Sequence, residues 1–462
     1  MGVFKKRKRA AFRPQQRPSG ALGERPVVAI VGRPNVGKSA LFNRLSESRI
    51  AIVEDTPGVT RDRLYADALV FDREYVLVDT GGFDPESDDA MTKSIASQVR
   101  AALSETDLVI CVYDGTVDPL PADHKATRLL RETNQPVIWV ANKVDSPRAQ
   151  PQALQYYSLG VSELHPISAL HGHGISELEE AIYRALPAPR EAGAGFDPDI
   201  PRVAIVGRPN AGKSSLVNRL LGVERQIVDR RPGTTVDSVD TLLDWSGQSY
   251  VLIDTAGMRR QRSIKRGVES LSVLSAIRAV ERSDVVVLMI DAQEGAFEQD
   301  TKIASLAIDR GRALVIALNK SDLLNAKQRE TAEKRSREVL SFASWAQIKK
   351  ISALSGQGLN ALMAAISRCG REHAKRVSTG EVNRFFAEVL GHHPPPTVGN
   401  KAIRLYYIAQ TAIRPPTFAV ISNHPDKVHF SYQRYVVNQL RKRFGFQGTP
   451  IRVFYRTRKR RD

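Results

Sequence analysis

Cysteine is nearly absent from this 462-residue sequence, which has only Cys111 and Cys369. Two thiols so far apart give neither a disulfide framework nor a zinc-ligand spacing, and Cys111 lies inside an apolar, strand-like run. Such usage suits a reducing cytoplasm. Long hydrophobic runs are missing too. The longest, such as Val285–Ile290, have strand length, far below the ~20 residues that cross a bilayer, so no membrane span is expected. The basic stretch Lys5, Lys6, Arg7, Lys8, Arg9 has no apolar segment after it. That argues against a secretory signal and leaves a solvated basic tail or a nuclear address. Acidic residues are also scarce: 50 Asp and Glu face 68 Lys and Arg, a net charge of +18. The excess favours a polyanionic partner, either nucleic acid or an anionic membrane surface.

What is present is organised by repetition. The length suits about three domains, and 42% apolar residues is ordinary for soluble globular proteins. Gly32, Arg33, Pro34, Asn35, Val36, Gly37, Lys38 and Ser39 recur as Gly207, Arg208, Pro209, Asn210, Ala211, Gly212, Lys213 and Ser214, a shift of 175 residues. The same shift carries Thr60 to Thr235 and Asp79 to Asp254. It grows to 177 from Asn142 to Asn319 and to 184 from Ser168 to Ser352, so small insertions lie late in the second copy.

Each copy alternates continuous apolar runs with helix-period segments. In the first, Val27–Val31, Tyr75–Val78, Leu108–Tyr113 and Val137–Ala141 read as buried strands, and Lys38–Ser46 as a helix. This predicts an α/β fold: two tandem phosphate-loop domains, each a mainly parallel sheet with helices on both faces. Residues 1–25 form a basic extension, 26–187 the first domain, 188–200 a linker within the Pro-, Gly- and Ala-rich stretch Pro187–Pro201, and 201–370 the second domain. Residues 371–457 form a small α+β domain, with helices at Ser378–Leu390 and Tyr432–Phe444. Its strands are expected at Ala402–Gln410, Thr417–Ser422 and Ile451–Tyr455. Residues 458–462 are a basic tail.

The pattern G-x-x-x-x-G-K-[ST] between a strand and a helix has a physical basis. Its glycines let successive N–H groups turn inward as an anion nest, and the helix N-terminus adds its positive end. Lys38 and Lys213 are placed to reach the β- and γ-phosphates, and Ser39 and Ser214 to put a hydroxyl on Mg²⁺. A chance match in a chain this long is about one in 60, and two matches at equivalent places are far rarer. The base is read elsewhere. Asn142-Lys143-Val144-Asp145 and Asn319-Lys320-Ser321-Asp322 each follow a strand. Asp145 and Asp322 can accept both N1–H and the exocyclic N2–H₂ of guanine, which adenine does not offer. The asparagine can reach the other edge of the base, the lysine stem can lie over the ring, and Ser168-Ala169 and Ser352-Ala353 can turn a backbone N–H to guanine O6.

Two further segments respond to the γ-phosphate. Asp79-Thr80-Gly81-Gly82 and Asp254-Thr255-Ala256-Gly257 close strands; the aspartates can hold Mg²⁺ through water and the glycine N–H can sense the phosphate. Thr60 and Thr235, in Pro57-Gly-Val-Thr60 and Pro232-Gly-Thr-Thr235, offer a hydroxyl to the same metal, so these loops should order with GTP and loosen with GDP. Lys38, Thr60, Lys213 and Thr235 are the expected catalytic residues.

These motifs resemble the translation-factor-related GTPases, and over residues 26–457 the arrangement resembles the bacterial Der (EngA) family. That resemblance implies two GTPase domains and a C-terminal KH-like domain, hydrolysis of GTP, and a role in assembling the large ribosomal subunit with binding to its RNA. It implies GTP and GDP as ligands, Mg²⁺ as cofactor and a monomeric protein. Phe83 and Met258 stand where a Ras-type enzyme has its water-orienting glutamine, so intrinsic hydrolysis should be slow or helped by another group. In similar GTPases a phosphate-loop asparagine, here Asn35 and Asn210, helps hold K⁺; the ordinary alternative is that each only caps its loop. Arg61-Asp62 follows the first switch threonine, but Val236-Asp237 follows the second, where the family usually has arginine. Two other readings remain: a tRNA-modification GTPase, opposed by the doubled domain, and a scaffold with one structural nucleotide site.

Residues Arg441–Asp462 hold nine Lys or Arg and one acid. Their positive charge suits sequence-independent phosphate contacts. The aromatics Tyr432, Tyr435, Phe444, Phe446, Phe454 and Tyr455 have core spacing for the most part, though such rings can also stack bases. Gly445-Phe-Gln-Gly448 looks like the G-x-x-G of RNA-binding KH domains, but it lies between a helix and a strand and is expected to be a turn. His392-His393 before three prolines is expected to be loop.

Overall fold

The computed structural model describes residues 25–50, 65–80, 99, 106–133, 135–146, 149–188, 197, 199–223, 240–254, 268–397 and 402–457. The first domain contains β1 (Val27–Val31), α1 (Lys38–Ile50), β2 (Tyr65–Val70), β3 (Arg73–Asp79), β4 (Leu108–Asp114), α2 (Pro121–Arg131), β5 (Val137–Asn142), α3 (Gln150–Leu154), β6 (Leu164–Pro166) and α4 (Ile175–Ala185). Its sheet runs β2-β3-β1-β4-β5-β6. All neighbours are parallel except β2 and β3. Every residue of β1 is buried, as a central strand covered on both faces requires. The edge strand β2, buried mainly at every second position near its end, keeps an open face. Because β1 lies between β3 and β4, its following loop opens at the crevice where the strand order reverses.

The second domain repeats this. It comprises β7 (Arg202–Val206), α5 (Lys213–Val223), β8 (Thr241–Trp245), β9 (Gln248–Ile253), α6 (Val268–Arg282), β10 (Val285–Asp291), α7 (Glu298–Asp309), β11 (Ala313–Asn319), α8 (Ala326–Val339), β12 (Gln347–Lys350) and α9 (Leu359–His373). The sheet order β8-β9-β7-β10-β11-β12 matches the first strand for strand. The expected junction at 370/371 falls inside the last turn of α9.

The third domain contains α10 (Thr379–His392), β13 (Leu405–Ala412), β14 (Thr417–Ser422), α11 (Phe430–Phe444) and β15 (Arg452–Thr457). Its three-stranded sheet pairs β13 with β14 antiparallel and β14 with β15 parallel. Two buried faces per large sheet and one in the small sheet organise the hydrophobic core.

The turn Gly445–Gly448 joins α11 to β15 and also docks the third domain on the second. Gly448 donates its N–H to the Trp345 carbonyl at 3.1 Å and accepts from the Leu314 N–H at 2.7 Å. A Cβ at Gly448 would stand 2.1 Å from the Cys369 sulfur, so only glycine fits this approach. His373 is buried beside the same turn, its Nδ1 2.7 Å from Thr449 Oγ1. Burial, with Arg312, Arg414 and Arg452 nearby, pushes its imidazole down to about 3. Between the first and second domains, Arg25 reaches Asp67 at 3.1 Å and Glu281 at 3.0 Å, and Arg310 pairs with both carboxylates. Burial alone would raise Glu281, yet Arg25, Arg310 and Arg312 hold it below the usual carboxylate range.

Candidate functional site

The loop after β1 turns on residues that tolerate a positive φ. Asn35 and Asn210 stand at 63° and 64°, a conformation asparagine accepts more readily than most residues. A Cβ at Gly37 would meet the Asn142 side-chain nitrogen at 2.2 Å, and at Gly212 the Asn319 nitrogen at 2.1 Å. These glycines therefore let the phosphate loop lie directly on the N-K-x-D strand end.

The Asn142 amide N–H donates to the Val36 carbonyl at 2.9 Å while its Oδ1 accepts from the Ala169 N–H at 2.9 Å. Asn319 does the same with Ala211 and Ala353, both at 2.8 Å. The asparagine thus staples the phosphate loop to the Ser-Ala loop, and the Ala169 and Ala353 N–H groups expected to face the base are held by it. The two lysines are also engaged. Lys38 Nζ donates to the carbonyls of Gly32 and Arg33 at 3.0 and 2.8 Å. Lys213 donates to those of Gly207 and Arg208, both at 2.7 Å. Burial lowers both ammonium groups; Asp79 and Asp300 respectively oppose the shift, and Lys213 is pushed down to about 8.

Other expected residues point elsewhere. Arg33 Nε bonds the buried Asp123 carboxylate at 2.7 Å, and Arg208 Nε pairs with buried Asp300 at 3.2 Å. Each aspartate also accepts the N–H at the start of its helix, from Leu120 or Phe297, at 3.0 Å. These guanidinium groups brace α2 and α7 against the loops and leave phosphate contacts there to backbone N–H. Thr80, likewise, turns its hydroxyl to the Ile30 carbonyl at 2.7 Å and is fully buried.

Pro34 and Pro209 sit in the loops, and Ser39 and Ser214 in the first turns of α1 and α5. Ser39 Oγ donates to Asp79 Oδ2 at 2.8 Å. Asp254 has φ 58° and gives its N–H to Asp240 Oδ1 at 3.1 Å. Asp145 and Asp322 are exposed at the strand ends, and Ser168 Oγ donates to Asp145 at 2.6 Å. Ser352 receives the Ser355 N–H at 3.1 Å. Thr60, Gly81, Gly82, Phe83, Thr235, Thr255, Ala256, Gly257 and Met258 lie outside the described residues, as do Arg61, Asp62, Val236 and Asp237.

Sequence reading missed two pairs. Lys143 Nζ donates to Asp114 at 2.6 Å, and Lys320 to Asp291 at 2.5 Å. Burial raises Asp114, but hydrogen bonds from Lys143 and Thr116 hold it below its ordinary value. Asp114 to Asp291, like Asp123 to Asp300, keeps the 177-residue shift of Asn142 to Asn319. Extending the repeat through these positions would have found them.

The site therefore occurs twice, each with a lysine-bearing anion loop stapled to a loop that carries an exposed carboxylate. A family model described as "50S ribosome-binding GTPase" matches residues 27–143 and again 202–320. A second, described as "KH-domain-like of EngA bacterial GTPase enzymes, C-terminal", matches 376–456. The GTPase Der of Moorella thermoacetica is 47% identical over 434 residues, spanning 94% of this chain and 98% of its own. That of Thermomicrobium roseum is 45% identical over 445 residues, covering 94% and 96%. In Geobacter metallireducens the figure is 44% over 440 residues, covering 95% and 100%. With such identity along nearly its whole length, the chain belongs to the GTPase Der family and is a GTPase.

Proposed function

We propose that this GTPase is a nucleotide-controlled switch in maturation of the large ribosomal subunit, binding its RNA in a GTP-dependent way. The observation that carries this reading is the pairing of two guanine-nucleotide sites with a third domain rich in positive charge. Relatives and family models named for GTP hydrolysis and for 50S binding support it.

At each site the loop Gly32–Ser39 or Gly207–Ser214 takes the phosphates on backbone N–H groups, and Lys38 or Lys213 turns from its carbonyl partners to their oxygens. Asp145 and Asp322 read the guanine edge; Lys143 and Lys320 lie over the ring. Gly82 and Gly257 complete the reading as γ-phosphate sensors, Thr60 and Thr235 as hydroxyl donors to the metal, and Gly81, Thr255 and Ala256 as further nucleotide contacts. The Ser39 hydroxyl beside the Asp79 carboxylate is a hard-oxygen pair that fits Mg²⁺, with Thr60 as a further donor. Ser214, Thr235 and Asp254 are the second site's counterparts. When bound, the ion neutralises charge on the β- and γ-phosphate oxygens. Asn35 and Asn210, exposed at the tips of their loops, are the proposed K⁺ contacts. Equal single-turnover rates in KCl and NaCl would remove that assignment.

The test is sedimentation with ribosomal subunits in GDP and in a non-hydrolysable GTP analogue. Co-migration with the large subunit in the analogue alone is expected. Binding that ignores the nucleotide overturns the switch.

A further inference from the structure

The outer face of the third domain's sheet carries groups used by neither the core nor the nucleotide sites. Side chains alternate along each strand, and the register sets them in rows. Ile408, Val420 and Tyr455 face inward together, as do Gln410, Phe418 and Val453. Two outward rows are Tyr407–Ile421–Arg456 and Ala409–Ala419–Phe454, and the next, Thr417–Arg452, meets the second domain where Arg452 donates to the Asp309 carbonyl. Tyr407 is 43% exposed and Phe454 49%, and the register shift between Leu405 and Tyr407 leaves Tyr406 exposed as well, at 50%.

Large rings on a solvated sheet face add nothing to the core, so a contiguous set of them marks a contact surface. Tyr407 and Phe454 are two strands apart and two residues displaced, about 12 Å along the diagonal by strand geometry. Ala409 and Ala419 floor the space between them and leave room over it. The exposed Arg456 stands on this face, and residues 376–457 as a whole contain twelve Lys or Arg against three Asp or Glu, a net +9 that is half of the whole chain's +18. Flat aromatic faces in a positive field match bases and phosphates, and unpaired bases are the ones free to stack.

We propose that this sheet face is a stacking platform for single-stranded RNA, with Tyr407 and Phe454 each taking a base and Arg456 a phosphate. It deepens the ribosomal-RNA reading above and rests on it. Duplex RNA keeps its bases stacked internally and meets only the positive charge.

The experiment titrates the full chain into a labelled 12-nucleotide single-stranded RNA, and into the same sequence as a duplex, by fluorescence anisotropy. Tyr407→Ala and Phe454→Ala are each expected to weaken the single strand roughly ten- to a hundredfold. Phe454→Tyr should stay near the wild type, duplex affinity should be unchanged, and an unaltered thermal unfolding profile should show that the variants fold. Wild-type affinity for the single strand in both alanine variants overturns the platform and leaves RNA binding standing. A wild-type protein that binds neither RNA overturns both.

Discussion

The two nucleotide sites agree closely in one half and part company in the other. Lys38 and Lys213 rest on equivalent carbonyls, and the staples of Asn142 and Asn319 to the phosphate loop measure 2.9 and 2.8 Å. At the ends of β3 and β9 the backbone differs: Asp79 stays in its strand, and Asp254 turns to a positive φ. Asp79 accepts a hydrogen bond from Ser39 of its own phosphate loop. Asp254 adopts φ 58° and binds Asp240 through its N–H, and Asp240 pairs with Arg282 at 2.6 Å. Arg282 closes α6, and the preceding residue, Glu281, takes Arg25 in the inter-domain ion cluster. The staple geometry has been kept in both copies, while the backbone stays extended at Asp79 and turns at Asp254 onto Asp240, whose partner Arg282 adjoins the inter-domain ion cluster.

The largest effect should come from the shared half. Lys38→Ala and Lys213→Ala should each weaken nucleotide at their own site roughly a hundredfold, since a buried charged donor to phosphate is lost. Equilibrium dialysis with GDP should fall from two sites per chain to one in either variant. Two full-strength sites in both would mean that these lysines are not phosphate ligands.

The next effect separates the copies by pH. Burial pushes Lys213 down to about 8, and a nucleotide's phosphates against it favour the charged form and draw the value back up. The complex then binds more protons than the free site, so second-site affinity should fall as pH rises through 8, by up to about tenfold per unit. Burial lowers Lys38 too, but by less than Lys213, so the first site should begin to weaken at higher pH. Titrating GDP into Lys38→Ala and Lys213→Ala between pH 7 and 9.5 isolates each site. Parallel curves would erase the distinction.

Much of this was legible beforehand. Strands such as β1, and β10 up to its closing Asp291, are apolar because parallel strands are covered on both faces, and that signal survives without tertiary information. Gly37 and Gly212 follow from the chemistry of a loop that must turn N–H groups inward. The direction of Arg33 was not legible. An arginine in an anion-binding loop reads as a phosphate ligand, and the carboxylate that captures it, Asp123, is 90 residues away. Nor can spacing say whether the Asn142 amide faces a base or the backbone of a neighbouring loop. The exposure of Phe454 depends on the pairing of β14 with β15, so core spacing alone misassigns it, although Phe446 and Tyr432 are buried as expected.

The smallest effect tests the ion pair that escaped the sequence reading. Lys143 and Lys320 have φ 68° and 60°, so the backbone turns each away from its strand, and the bonds to Asp114 and Asp291 set where the stem lies. Asparagine at 114 keeps the size and the acceptor that Thr116 uses but gives up the charge that holds the ammonium. Because both pairs are partly exposed, each contributes at most about 1 kcal/mol. Asp114→Asn, measured with a fluorescent GDP in the Lys213→Ala background, should weaken the first site about two- to fivefold. Asp291→Asn in the Lys38→Ala background should do the same at the second. Equal losses would place the lysine's anchor in the shared half of the two sites. No loss in either would show that the stem holds its place over the base without the carboxylate.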